Sequence, residues 1–305
     1  MKRPSHAMGY YILLSAIYLL LAVALPGNTQ ASRIYHLTIP QYHLLQFMVI
    51  LPLMLLAFSA FYGYAKLQNY ANSIEQTPEG KDFDLLALGC KWLAWGLLIP
   101  AIITIILSSI ANAHPGFAGT SLIISNYVSL LVAIVAFGFI STGSHGLLSR
   151  TKKRLSALNL KMLIIAFVLI GVIYCFLTFR QLVGNSIGST NNPYALPLWL
   201  MFLTIIIPYL YAWIVGLLAA YEIILFSKLS RGVLYRHALQ QVASGLSIVI
   251  ASSVALQYLS AAVPRNEHLS LNSSLAATYA IRLGAAVGYI LIARGAMRMK
   301  KIEEV

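Results

Sequence analysis

Four charged residues fall inside stretches that are otherwise apolar: Lys91, Glu222, Arg282 and Arg294. A charge in hydrocarbon costs about 2.5 to 3.5 kcal/mol on insertion scales, so each marks a functional site unless its position explains it. Arg294 stands close to the end of its stretch, where a long side chain reaches the headgroups. Lys91 lies six residues past Leu85, and Glu222 six before Lys228 on a stretch running the other way, which puts both about 9 Å from the same end. At matched depth they form a plausible ion pair, each lowering the other's desolvation cost, and in a transport cycle Glu222 would carry a proton or a cation. The structural alternatives are a plain bridge or two side chains that snorkel independently.

Arg282 is harder to place. It lies about 13 Å into the last apolar stretch by helical rise, and it cannot deprotonate. Its five donors need acceptors: backbone carbonyls at a kink, the side-chain oxygens of Asn126, Ser129, Ser252, Ser253 and Gln257, or an anionic ligand. Lys91 with Glu222 would then form the inner element of a polar pathway, and Arg282 with Asn126 and Gln257 an outer, anion-favouring element.

Other chemistry has thinner support. Haem between facing imidazoles would use His145 and His237, both near the inner face on different spans, but nothing else in the pattern pairs them, and no cofactor is expected. The segment STGSHG, Ser141 to Gly146, puts serine beside histidine with no acidic partner evident, and reads as a helix end built of small residues. Walker, HExxH and GxSxG patterns are absent, and no enzyme activity is expected. Cys90 and Cys175 lie near opposite faces, too far apart for a disulfide and in no metal-type pair. Gly284, Ala285 and Gly288 form a small-residue face of the kind that packs helices together.

The elements that must hold these residues are membrane helices. The chain is 59% hydrophobic and 10% charged, with mean hydropathy +0.79, far from a soluble domain's composition. Runs of about 20 apolar residues predict eight spans: Met8 to Leu25, Tyr42 to Gln68, Leu85 to Ala111, Ser121 to Leu147, Lys161 to Phe179, Pro197 to Phe226, His237 to Ala261 and Ser273 to Ala296. Lysine and arginine gather in the inner segments, above all Arg150, Lys152, Lys153 and Arg154, against only Arg33, Arg180 and Arg265 outside, so both termini are expected in the cytoplasm. That asymmetry and anionic headgroups at the cytoplasmic face account for the net charge of +13 without a nucleic acid. The first span resembles a secretory signal, with TQAS as a cleavage-like site, but is read as retained because its apolar run is long and the repeat needs it.

Laying the second half on the first at a shift of about 150 residues aligns Pro52 with Pro208, Ala94 and Gly96 with Ala243 and Gly245, Pro115 with Pro264, and Ser121 with Ser274. This predicts an all-α, single transmembrane domain, 1–305, made of two parallel four-helix repeats, 1–156 and 157–305, with a pseudo-twofold axis along the membrane normal. Pro52, Pro100 and Pro208 fall within spans and are expected to kink them toward other helices or a wet cavity. The leading expectation is a multi-pass transporter of the cytoplasmic membrane for a small, possibly anionic solute, with its pathway between the halves. The others are a non-catalytic membrane subunit or sensor that binds a protein partner or a second copy through its inner loops, and a haem-bearing electron carrier.

Overall fold

The computed structural model describes residues 7–24, 39–113, 118–149, 207–229, 232–262 and 271–303. Among them every element is an α-helix: α1 (Ala7–Ala24), α2 (Ile39–Ser73), α3 (Pro78–Ala113), α4 (Ala118–Ser149), α5 (Ile207–Leu229), α6 (Val233–Ala262) and α7 (Leu271–Glu303). The fifth expected span, Lys161 to Phe179, and the basic run from Arg150 to Lys161 lie outside the described residues.

Five helices are long and apolar enough to cross a membrane, over Ile50–Ser73, Pro78–Leu107, Leu131–Ser149, Leu210–Leu229 and Ala276–Ile302. The chain is a multi-pass membrane protein. Where eight spans are expected, the described residues thus supply five by this measure. Among the described residues the apolar part of α1 covers Ala7–Ala22. α6 is 30 residues long, polar over its first turns, and its apolar second half runs past the residues whose side chains are described.

The segment expected as an inner loop, Gln68 to Asp84, is mostly helix, because α2 runs on to Ser73 and α3 begins at Pro78. The reason is local. Thr77 caps α3, its Oγ1 accepting from the Gly80 amide at 3.1 Å, with Pro78 in the first helical position and Glu79 beside the positive helix end. Helices α2 and α3 continue through Pro52 and Pro100, both buried. Pro208 is the second described residue of α5, and its side chain lies outside the described residues.

The contacts among α2 to α7 close a ring: α2 on α3, α3 on α4, α4 on α5, α5 on α6, α6 on α7, and α7 back on α2. α1 lies outside it, against α2 and α3. Two neighbouring pairs come together through glycine. On α6 and α7, a Cβ added to Gly288 would stand 2.7 Å from the Gly245 carbonyl oxygen, and one on Gly295 2.6 Å from that of Ala238. On α3 and α4, a Cβ on Gly89 would meet the Ala136 carbonyl oxygen at 2.7 Å. Lipid tails are as apolar as leucine, so close backbone approach of this kind supplies the dispersion contact that holds membrane helices together. Gly284, expected in the same face as Gly288, has only Ser252 Oγ near it among the described residues, at 3.5 Å.

The middle of the ring is filled. Leu67, Leu86, Ile140, Ile223, Leu246 and Ile292, one from each ring helix, enclose a void of only about 10 Å³. Tyr70 and Tyr235 are joined between their hydroxyls at 3.0 Å, tying α2 to α6, and Phe83 packs edge-on to Tyr70 at 4.9 Å.

Candidate functional site

Glu222 occupies the last turns of α5, on the face that packs against α4. Its Oε2 accepts from the Ser144 hydroxyl at 2.6 Å, and its Oε1 lies 3.3 Å from His145 Nδ1. The three side chains form a gradient of exposure: His145 is 74% exposed, Glu222 18% and Ser144 0%. The acidic partner that STGSHG lacks in sequence is therefore supplied by another helix.

Ser144 Oγ also lies 3.0 Å from the Ser141 carbonyl oxygen. A hydroxyl has one hydrogen and two lone pairs, which gives the site two complete bonding patterns. With Glu222 ionised, Ser144 donates to Oε2. With Glu222 protonated, the carboxyl donates to Ser144 Oγ, whose hydrogen turns to Ser141. Neither pattern strands a buried polar group. His145 stands on the exposed side of the same carboxyl.

The order of the three groups excludes a serine nucleophile of the usual kind. There the histidine stands between serine and acid and takes the serine's proton. Here the carboxyl stands between serine and histidine. Comparison with protein-family models, with curated proteins and with solved structures finds no match. The functional reading rests on the site's own chemistry.

Lys91 does not pair with Glu222. Its ammonium lies over the rings of Trp95, at 4.9 Å, and Tyr10, at 5.6 Å, and these two rings pack edge-on to each other. Lys91 thus faces α1, on the outside of the ring, while Glu222 faces α4. A matched depth was expected to bring the two together, but they face different neighbours, and aromatic quadrupoles hold the cation that a carboxylate was expected to hold.

Arg282 lies on α7, half-buried, within electrostatic reach of Tyr18 on α1 and of Tyr279 on its own helix. Asn126 and Gln257 belong to α4 and α6, but their side chains lie outside the described residues. His145 and His237 are at different seams, the first between α4 and α5 and the second beside a cleft between α6 and α7, so they do not face each other across one haem-sized space. Among the described residues no three metal-binding side chains gather.

Sequence reasoning missed Asp82. It is only 6% exposed and packs on α4, where a Cβ on Gly146 would stand 2.7 Å from its carboxyl carbon and one on Gly143 2.6 Å from its backbone oxygen. Gly143 and Gly146 flank Ser144 and His145, so a second carboxyl lies against the same turn of α4 that binds Glu222. The Thr-Pro-Glu-Gly cap at 77–80 was the available signal, because it makes Asp82 part of a helix and not of a loop.

Proposed function

We propose that the protein is a permease of the cytoplasmic membrane that moves a small anionic solute together with a proton. It is built from two copies of one four-helix unit that close against each other around the apolar centre. The contact order supports two copies: α2, α3 and α4 follow one another around the ring, then α5, α6 and α7 do the same, and the matched residues Pro52 and Pro208, and Gly96 and Gly245, fall on equivalent members. The seams between copies are then α4 with α5 and α7 with α2. Parallel repeats related about the membrane normal rock against each other at such seams in known transporter folds.

The observation that carries the reading is the contact of Glu222 with Ser144 and His145, which bridges the first of these seams. Charge-assisted hydrogen bonds are about twice as strong as neutral ones. An ionised Glu222 holds the seam tightly; a protonated one holds it weakly, so proton uptake favours parting of the halves and opening of the apolar centre. Arg282 supplies the positive potential that draws an anion toward the other end. With basic residues inward, Glu222 faces the cytoplasmic side.

The test is reconstitution of the purified protein in liposomes loaded with a pH-sensitive dye, with gradients of carboxylates, phosphates and sulfonates applied in turn. At least one anion should drive a pH change above that of protein-free vesicles. Glu222→Gln should abolish the pH change, Ser144→Ala should reduce it several-fold, and Arg294→Gln, on an exposed face of α7, should leave it unchanged. Anion movement that persists in Glu222→Gln would remove the proton role, and a wild-type protein inert to every anion would remove the permease. A stoichiometric partner copurifying with such an inert protein would support the subunit reading.

A further inference from the structure

His237, Gln240, Gln241 and Ser244 recur along α6 at the spacing of one helix face. This polar stripe opens on a cleft of about 370 Å³ between α6 and α7, which Leu291 and Arg298 line from the other side. Among the described residues no acidic side chain lines it. The groups that do are a guanidinium, an imidazole, two amides and a hydroxyl, the donor set that recognises phosphate oxygens, and the volume lies in the range of small-ligand sites.

Two further observations point to an occupant. Gln241 lines the cleft, and its Oε1 is buried with no hydrogen-bond partner among the described residues; an unpaired buried acceptor is costly, so its amide gains by turning to a hydroxyl or amine donor that enters the cleft. His237, Ser244 and Arg298 are exposed on the outside of the ring, and the stripe runs about 10 Å inward from the end of the bundle that carries Arg298, Lys300 and Lys301. Bare hydrocarbon is a poor neighbour for such a surface, whereas a phosphate carried just above the acyl chains, with the hydroxyls of its headgroup, matches it.

We infer that the cleft between α6 and α7 is a binding site for a phosphate-bearing anion, contacted by Arg298, His237, Gln240, Gln241 and Ser244. The phosphate belongs to an anionic phospholipid headgroup or to a free phosphate ion. This site lies away from the Glu222 seam and stands whether or not the chain transports anything.

The purified full-length chain in nonionic detergent is titrated with short-chain phosphatidylglycerol and, separately, with inorganic phosphate, binding being read by native mass spectrometry and by isothermal titration. Saturable one-to-one binding is expected. Arg298→Gln should weaken it about tenfold or more, the worth of a charge-assisted contact. Lys301→Gln removes the same charge outside the cleft and should weaken it by less than about fivefold, the surface attraction of one basic residue. Gln241→Leu, which keeps every charge, should also weaken it and covers the case that Arg298→Gln disturbs folding. Lipid binding without phosphate binding assigns the headgroup as the ligand; phosphate binding with the same loss in Arg298→Gln assigns the free ion. Equal losses in Arg298→Gln and Lys301→Gln, or no saturable binding of either probe, would overturn the site.

Discussion

Lys91 and Glu222 solve the same problem, a charge at the edge of hydrocarbon, by different routes. Lys91 lies over two aromatic rings on the outside of the ring of helices; Glu222 lies in a seam, with a hydroxyl on one oxygen and an imidazole beside the other. Because the two share no partner, their contributions should add. Lys91→Gln is expected to lower stability in detergent by about 0.5 to 2 kcal/mol, the range of a cation–π contact, and to loosen α1 from α3. In a double-mutant cycle with Glu222→Gln, read by thermal unfolding, the coupling should stay below about 0.5 kcal/mol. A coupling above 1 kcal/mol would mean that the two charges do meet. From the sequence, helical rise converts residue count into an expected height for each residue. Direction was not legible. A helix that is apolar all round has no polar stripe to set its rotation, so nothing in the residues around Lys91 or Glu222 says which neighbour it faces. The same blindness hid the acidic partner of STGSHG, seventy-seven residues further along the chain.

At the scale of elements, glycine position decides which helices come close. Gly288 of α7 faces the Gly245 backbone of α6, whereas a Cβ on Gly138 of α4 would meet nothing within 4 Å among the described residues. Gly288→Ala should therefore destabilise the protein by about 1 to 3 kcal/mol, the usual result of overpacking, as α6 and α7 are forced apart. Gly138→Ala should be neutral or stabilising by up to about 1 kcal/mol, through helix propensity alone. Melting of the two variants in the same detergent checks the difference, and equal melting temperatures would argue against the close α6–α7 contact. The small-residue face around Gly284 and Gly288 was readable as a packing face, yet only Gly288 of that pair touches the partner backbone, and its companion is Gly295, two turns on. The sequence spacing allowed both choices, and the crossing of the two helices selects between them. The cap at Thr77 and Pro78 was open to reading but was overshadowed by the polar composition around it, which resembles a loop until its hydrogen bonds are drawn.

For the whole molecule, the ring is the claim on which the rest depends, and two cysteine pairs of nearly equal geometry test it. A Cβ on Gly63 of α2 stands 3.7 Å from Tyr289 Cβ on α7, and one on Gly96 of α3 stands 3.6 Å from Val132 Cβ on α4; disulfides favour about 3.8 Å. The first pair spans the seam that closes the ring, between segments at opposite ends of the chain, and the second lies within one proposed copy. In a background carrying Cys90→Ala and Cys175→Ala, both Gly63→Cys with Tyr289→Cys and Gly96→Cys with Val132→Cys should oxidise under mild conditions, read as loss of thiol labelling. Failure of the α2–α7 pair alone would open the ring at that seam. If the halves rock as proposed, the α2–α7 disulfide should also stop anion-driven proton movement in liposomes and reductant should restore it, each variant serving as its own control. The α3–α4 disulfide, confined to one half, should leave that movement intact, because a body that moves as a unit gains no constraint from a link inside it.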